Sequence, residues 1–393
     1  MKTRMNENFK AFKDNYLFVE CAKRIADFQS AIPDAQVIKL SIGDVTRPLP
    51  KVAIDALNVA VEEQAHAETF RGYAPENGYD FTRQAVADYY SRRGAKIEAS
   101  EVFISDGAKS DCGNVLDILG NNKVYVPDPV YPVYVDTNIM KGNEIAYLPG
   151  TLENGFAPMP TDEIEEGSVI YICSPNNPTG SVYSREQLTE WVNFANERGC
   201  LIIFDSAYEA FVSGDNPRSI FEFEGARTCA VEICSLSKTA GFTGTRCGWM
   251  ILAHELEAAG MNLNATWSRR QSTRFNGVPY IIQRAAAAAL SEDGIKVCME
   301  NIEYYKNNAK KLSEFLTSKG YKFTGGTNSP YIWMQTKDNM PSWDFFDLLL
   351  NEAQIAGTPG VGFGSQGEGF FRITSFGKAE DYDEAIRRLE RIL

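Results

Sequence analysis

The chain has 393 residues, enough for one large domain and a smaller one, and its 44% hydrophobic and 23% charged residues are ordinary for a globular protein. A formal charge of −13 argues against nucleic acid and anionic membranes as partners, because both call for a basic surface. Eight cysteines without a C-x-x-C pair and only two distant histidines, His66 and His254, argue against a metal site, a His-based triad and a disulfide scaffold, leaving reduced core thiols. The amino terminus is polar, and no apolar run reaches spanning length, so the expected location is the cytoplasm.

In chain order, residues 1–30 read as a polar arm with scattered aromatics, Phe9, Phe12, Tyr16, Leu17 and Phe18, and a helix over Cys21–Phe28. Val37 to Asp44 reads as a short strand ending at Gly43, followed by an amphipathic helix over Val52–Glu63. Arg71 to Tyr79 is dense in turn formers, and Phe81–Arg93 is helical again. Val102–Ser105 runs through Asp106-Gly107 into a helix whose free N–H groups at Ala108 and Lys109 are a ready anion site. Val124–Pro129 is a strand, and Val130-Tyr131-Pro132-Val133-Tyr134 opens the next helix.

Val169–Cys173 ends in Ser174-Pro175-Asn176-Asn177-Pro178-Thr179-Gly180, with Ser184 placed as N-cap of a helix over Glu186–Glu197. Cys200–Phe204 ends at Asp205-Ser206-Ala207-Tyr208, and Cys229–Cys234 ends at Ser235-Leu236-Ser237-Lys238. Strands thus alternate with helices from about residue 100 to 250, and polar turns follow the strand ends. That pattern predicts an α/β fold with a mostly parallel sheet flanked by helices and a site at its C-terminal edge. The continuous apolar strands fit a sheet covered on both faces.

A long helical region from Ala285 to about Ser318 follows. Strands at Tyr331–Met334 and Phe370–Thr374 and helices at Trp343–Ala353 and Asp381–Ile392 then read as a smaller α+β domain. The expected division is an arm and part of the small domain in 1–45, a large domain in 46–285, and the rest of the small domain in 286–393. Gly362-Phe363-Gly364-Ser365-Gln366-Gly367 matches G-x-G-x-x-G, but it precedes a strand instead of following one, so it does not read as a dinucleotide site.

The chemistry concentrates at Lys238. A lysine among small residues at a strand end is either a surface lysine in a glycine-rich loop or an amine open to close approach by a ligand. A lysine amine forms a Schiff base with an aldehyde cofactor, and hydroxyls with an arginine hold a phosphate. Ser235, Ser237 and Arg246 would supply the phosphate ligands together with Ala108 and Lys109, which points to pyridoxal 5′-phosphate (PLP). The other needs of that cofactor can be matched one by one. Asp205 is placed to keep the ring nitrogen protonated, Asn177 and Tyr208 to donate to the ring oxygen, and Tyr131 to stack on the ring. Arg372 could hold a substrate α-carboxylate by two parallel bonds. Each assignment also has an ordinary structural reading: a capping Asp, a packed Tyr, a strand Arg paired with an acid. Five parts at five strand ends are harder to dismiss.

The set Ser174-Pro-Asn-Asn-Pro-Thr-Gly180, Asp205-x-x-Tyr208, Ser235-x-Ser-Lys238 and Arg246 resembles the fold-type I PLP aminotransferases of the aspartate aminotransferase class. Asn15-Tyr16-Leu17-Phe18, Leu40-Ser41-Ile42-Gly43-Asp44, Ser105-Asp-Gly-Ala-Lys-Ser110, Asp128-Pro-x-Tyr-Pro-x-Tyr134, Phe275-Asn276-Gly277 and Thr358-Pro-Gly-Val-Gly-Phe-Gly364 narrow the resemblance to the LL-diaminopimelate aminotransferase family. The chain departs from that pattern at Tyr73-Ala74, where the family has Tyr-Gly. The resemblance implies a homodimer with shared active sites, exchanging an amino group between LL-2,6-diaminopimelate and 2-oxoglutarate in lysine and cell-wall precursor synthesis. It implies Lys238 as general base and acid. It adds Tyr16, Gly43, Tyr73, Glu76 and Asn276 to the site, with Tyr73, Glu76 and Asn276 reaching into the partner's cleft and Glu76 facing the substrate's distal ammonium. The rival readings are an aspartate, aromatic or alanine aminotransferase on the same scaffold and, from a different class, a non-catalytic PLP-fold binding protein.

Overall fold

Seven strands pair into one sheet in the computed structural model, which describes residues 3–12, 17–41 and 43–393. Across the sheet the strands are Val102–Ser105, Gly248–Leu252, Ala230–Ser235, Leu201–Asp205, Val169–Cys173, Lys123–Asp128 and Glu144–Pro149. Every neighbouring pair is parallel except those made by Gly248–Leu252, which runs antiparallel to both its neighbours. Alternate residues of one strand enter different cores. Ile170, Ile172, Ile202 and Phe204 face one helical layer, whereas Val169, Tyr171, Ile203, Val231 and Ile233 face the other. Burial on both faces is why these strands read as unbroken apolar runs.

The flanking helices start and stop where their caps dictate. Arg185–Arg198 begins at Ser184, whose side chain accepts from Gln187 N while Gln187 returns a bond to the Ser184 N–H; it ends at Gly199 in the left-handed conformation. Pro132 stands in the first turn of Pro132–Lys141, and Gly142 ends it.

The second core is built on a four-stranded antiparallel sheet, ordered Phe323–Gly325, Tyr331–Gln335, Phe370–Thr374, Thr358–Pro359. The 27-residue helix Glu292–Ser318 runs between the two cores, with Cys298 in the large one and Leu312 and Leu316 in the small one. Helix Leu17–Ala31 inserts Leu17, Cys21 and Ile25 into the small core, against which Ile392 and Leu393 also pack.

Several expectations needed correction. The strand expected over 37–44 is only Ile38–Lys39, paired with Ile355–Ala356, because the chain turns away after it. The first helix extends over Leu17–Ala31. The helix expected over 343–353 is an α-helix at Ser342–Leu348 followed by a π turn at Leu349–Ala353. Strand Glu144–Pro149 and helix Leu263–Arg274 were not expected. The first is a half-exposed edge strand, and the second buries a stripe of Leu263, Asn264, Trp267 and Gln271 that is half polar. Among the described residues no helix is long and apolar enough to cross a membrane.

Candidate active site

The parallel strands end together, and their register fixes what meets at the edge. Cys173 pairs with Asp205, Asp205 pairs with Ile233, and Ser235 and Ser105 both pair with Gly248. A Cβ on Gly248 would stand 2.8 Å from the Gly107 Cα and 2.9 Å from the Cys234 carbonyl oxygen. Glycine at this position therefore lets the turn after Ser105 close onto the strand that leads to Lys238. Gly107, at φ 132°, is equally constrained, since a Cβ there would lie 2.5 Å from Arg246 Nη2.

Arg246 adopts the left-handed conformation at φ 62°, which costs a non-glycine residue about 1 kcal/mol. Its Nη1 donates to the Thr243 carbonyl at 3.2 Å. The guanidinium, the start of helix Ala108–Asn114, and the Ser235 and Ser237 hydroxyls thereby line one end of a single cleft. Cations, hydroxyls and free backbone N–H groups are the donor set a phosphate monoester calls for.

Lys238 sits in the short helix Leu236–Thr239 that follows strand Ala230–Ser235. Its ammonium donates to the Gly43 carbonyl and lies 5.2 Å from the centre of the Phe376 ring. Burial, helped by Arg372 and Arg246 and opposed by Asp44, brings this amine down from 10.5 to about 8.

Asp205 lines the same cleft. It is 6% exposed, and burial pushes its carboxyl up. Three donors oppose that shift: Tyr134 OH to Oδ2 at 2.6 Å, Ala207 N to Oδ1 at 2.9 Å, and the Cys112 thiol at 3.9 Å from Oδ2.

Arg372 is 1% exposed on strand Phe370–Thr374. Nη1 donates to Asn177 Oδ1 at 2.8 Å, and Nη2 donates to the Ser41 carbonyl at 3.2 Å and Thr358 Oγ1 at 3.4 Å. The guanidinium lies 4.7 Å from the Tyr331 ring centre and 4.8 Å from that of Phe363. Its Nε is buried without a partner, a donor held ready for an acceptor from outside the chain.

The cleft holds about 440 Å³ and is lined by Gly43, Ala108, Lys109, Tyr131, Asn177, Asp205, Tyr208, Ser235, Ser237, Lys238, Arg246 and Arg372, all of them expected site residues. A larger surface depression of about 910 Å³ between Pro160 and Glu197 holds none of the strand-end groups. The Tyr208 hydroxyl is hydrogen-bonded to the Tyr331 hydroxyl. Tyr73, Glu76 and Asn276 lie outside the cleft. Tyr73 is 89% exposed, Glu76 and Asn276 are exposed, and Tyr73 and Asn276 border a separate surface hollow of about 520 Å³. Tyr16 falls outside the described residues.

The glycine-rich stretch 362–367 serves a structural purpose. Ser365 N and Oγ donate to Asp128 Oδ2 at 3.1 and 2.7 Å, and Gln366 N to Oδ1 at 3.3 Å, which ties this segment to the end of a large-sheet strand. A Cβ on Gly364 would stand 1.9 Å from that carboxylate.

Tyr134, Tyr331 and Asp44 are among the lining residues that escaped the sequence reading. Tyr134 had a signal. Tyr131 and Tyr134 are three apart around the proline that opens a helix, so a cleft-facing Tyr131 puts Tyr134 beneath it. Tyr331 reads only as a strand aromatic, and its place depends on long-range pairing.

Residues 35–389 match the family model for aminotransferase class I and II. A protein of Lachnospira eligens named LL-diaminopimelate aminotransferase is 50% identical, the alignment covering 99% of both chains. One of the same name from Methanosphaera stadtmanae is 47% identical over 100% of both. The solved structure of L,L-diaminopimelate aminotransferase from Chlamydomonas reinhardtii superposes with a TM-score of 0.93 at 40% identity, covering 100% of this chain and 99% of that one.

Proposed function

The chain belongs to the class I and II aminotransferase family, and we propose that it exchanges an amino group between LL-2,6-diaminopimelate and 2-oxoglutarate, giving tetrahydrodipicolinate and glutamate. The observation that carries this reading is the convergence of Lys238, Asp205, Arg246 and Arg372 on one cleft in a chain matched along its whole length by relatives of that name.

The class I and II aminotransferases depend on pyridoxal 5′-phosphate, and the residues present fit it. The fit rests on the Gly107–Arg246 close approach, on the hydroxyl and N–H donor set, and on the buried Asp205 carboxylate in the same cleft. Ser235, Ser237, Arg246, Ala108 and Lys109 would hold the phosphate. Asp205 would bind the ring nitrogen, Asn177 and Tyr208 the ring oxygen, and Tyr131 one ring face. When bound, the cofactor supplies an electron sink for the carbon next to the amino group.

The protein's own groups do the remainder. Arg372 would grip the α-carboxylate with the donors its guanidinium has left, and its bonds to Asn177, Ser41 and Thr358 already fix its orientation, so little orientation entropy is left to lose. Lys238, with an amine near pH 8, can take a proton from the substrate α-carbon and return it elsewhere at neutral pH.

Tyr73, Glu76 and Asn276 are assigned to the cleft of a second copy in a homodimer, which accounts for polar and aromatic side chains exposed with no role inside their own chain. Glu76 would meet the distal ammonium there, with Asn276 and Lys109 completing that end. Tyr16 and Gly43 would border the substrate from the amino-terminal side. We divide the chain into 1–45 and 286–393 around the small core and 46–285 around the large sheet. We also place the protein in the cytoplasm, where eight buried free thiols stay reduced.

The test is a panel of amino donors with 2-oxoglutarate as acceptor. The reading expects glutamate from LL-diaminopimelate at a kcat/KM well above that for aspartate, alanine or aromatic donors. A higher value for one of those donors contradicts it.

A further inference from the structure

We propose that Tyr134 is a positioning residue that keeps Asp205 ionised, so that the proton shared between this carboxylate and the cofactor's ring nitrogen stays on the nitrogen. The inference rests on the reading that pyridoxal 5′-phosphate sits with its ring nitrogen toward Asp205.

An ionised carboxylate that is 6% exposed survives only with donors around it. Asp205 has three. Oδ1 accepts from Ala207 N at 2.9 Å, and Oδ2 accepts from Tyr134 OH at 2.6 Å and faces the Cys112 thiol at 3.9 Å. A thiol is a weak donor at that distance. Tyr134 is therefore the side chain that decides the charge state of Oδ2. The other titratable groups near Asp205 are the Cys112 and Cys173 thiols, the Tyr331 phenol and the Asp111 carboxyl, and none of them carries a positive charge in compensation.

Tyr134 is built to hold that position. It is 1% exposed, and its ring stacks on Tyr171 at 4.9 Å and 20° and meets the edge of Tyr131 at 5.8 Å and 89°. Burial raises its own hydroxyl well above the ordinary tyrosine value, so it remains a donor across the working pH range. Helix Pro132–Lys141 thus carries the donor to Asp205, and the residue before its first turn is Tyr131, the ring-stacking candidate. Without the Tyr134 hydroxyl, Oδ2 becomes a stronger base and draws the proton off the ring nitrogen. The electron sink then weakens while Lys238, Arg246 and Arg372 stay where they are.

The test uses the holoenzyme reconstituted with pyridoxal 5′-phosphate labelled with ¹⁵N at the ring nitrogen, whose chemical shift reports protonation. Wild type is expected to show the protonated ring. Tyr134→Phe should move the resonance toward the neutral-pyridine value and lower kcat by roughly tenfold with little change in KM, the scale of one hydrogen bond to a charged group. Tyr171→Phe removes an equally buried hydroxyl from the same stack and should leave the resonance in place. In an Asp205→Asn background Tyr134→Phe should change neither resonance nor kcat further, because the two act through one contact. A wild-type resonance in Tyr134→Phe overturns the proposal, as does an equal loss in Tyr171→Phe or an additive loss in the Asp205→Asn background. A wild-type protein that binds no labelled cofactor would instead refute the cofactor reading.

Discussion

The Lys238 cleft and the Tyr73–Gly78 turn are both assigned to one reaction, yet they are built in opposite ways. In the cleft Asp205 and Arg372 are placed by sheet register and buried: Asp205 is 6% exposed and Arg372 1% exposed, with three acceptors around its Nη atoms. In the turn, Tyr73 is 89% exposed, Glu76 is exposed, and their neighbour Asn276 is exposed as well. The backbone of the turn is nonetheless fixed. Gly78, at φ 97°, would place a Cβ 2.3 Å from Ile104 Cγ1, and a Cβ on Gly277 would stand 2.7 Å from Ala74 Cβ. A rigid backbone that presents exposed polar side chains is arranged for something outside its own chain. On the proposed reading the cleft carries what every donor shares, and the turns carry what selects among donors.

That division can be broken at either end. Lys238→Ala removes the amine proposed to anchor the cofactor and carry the proton, and turnover should fall by at least about a thousandfold, roughly 4 kcal/mol. Retained turnover at a substantial fraction of wild type would dismiss Lys238. Arg372→Lys keeps the charge but loses the planar fork, and should lower kcat/KM by roughly 10- to 150-fold, the scale of one charge-assisted hydrogen bond. The loss should be alike for diaminopimelate, glutamate and 2-oxoglutarate, since all carry an α-carboxylate. A loss confined to diaminopimelate would move Arg372 to the distal end.

Glu76→Gln should act selectively. It should lower kcat/KM for LL-diaminopimelate by roughly one to three orders of magnitude, the range for losing a desolvated charged contact, and leave the glutamate half-reaction much less affected. Equal losses in both half-reactions would make Glu76 a support for the fold. The smallest expected effect concerns pH. Only the neutral Lys238 amine attacks an aldehyde, so the rate of cofactor uptake by the apoprotein should rise as pH climbs through about 8. Asp44 opposes the downward shift of that amine, so Asp44→Asn should move the midpoint to lower pH. A midpoint that stays fixed or moves upward contradicts the electrostatic role of Asp44.

The same contrast explains what could be read from the sequence. The parallel central strands, buried on both faces, announce themselves as apolar runs, and the polar residues ending them, Asn177, Asp205 and Ser235, could be placed before any coordinates. The half-exposed edge strand Glu144–Pro149 has no such run, and helix Leu263–Arg274 buries polar residues along with apolar ones, so neither showed a period. Glu232 is the sharpest case. In the sequence it is a polar interruption of a strand. In the fold it is fully buried and accepts from Tyr90, Ser206, Ser219 and the Ile220 N–H, with its carboxyl pushed up to about 7 by burial. Four donors from three separate segments are a property of the assembled fold and have no local signature. The cleft was legible in its strand-end groups, whereas Tyr134, Tyr331 and Asp44 waited on helix phase and long-range pairing.

The most direct measurement mixes two crippled preparations, Lys238→Ala and Glu76→Gln, under conditions that let subunits exchange. A hybrid pairs an intact Lys238 cleft from one copy with an intact Glu76 turn from the other. Activity toward LL-diaminopimelate well above the weighted mean of the two preparations is predicted. A mixture no more active than that mean, with exchange shown by differently tagged copies, would mean that each cleft recognises its donor alone and would contradict the shared-site account.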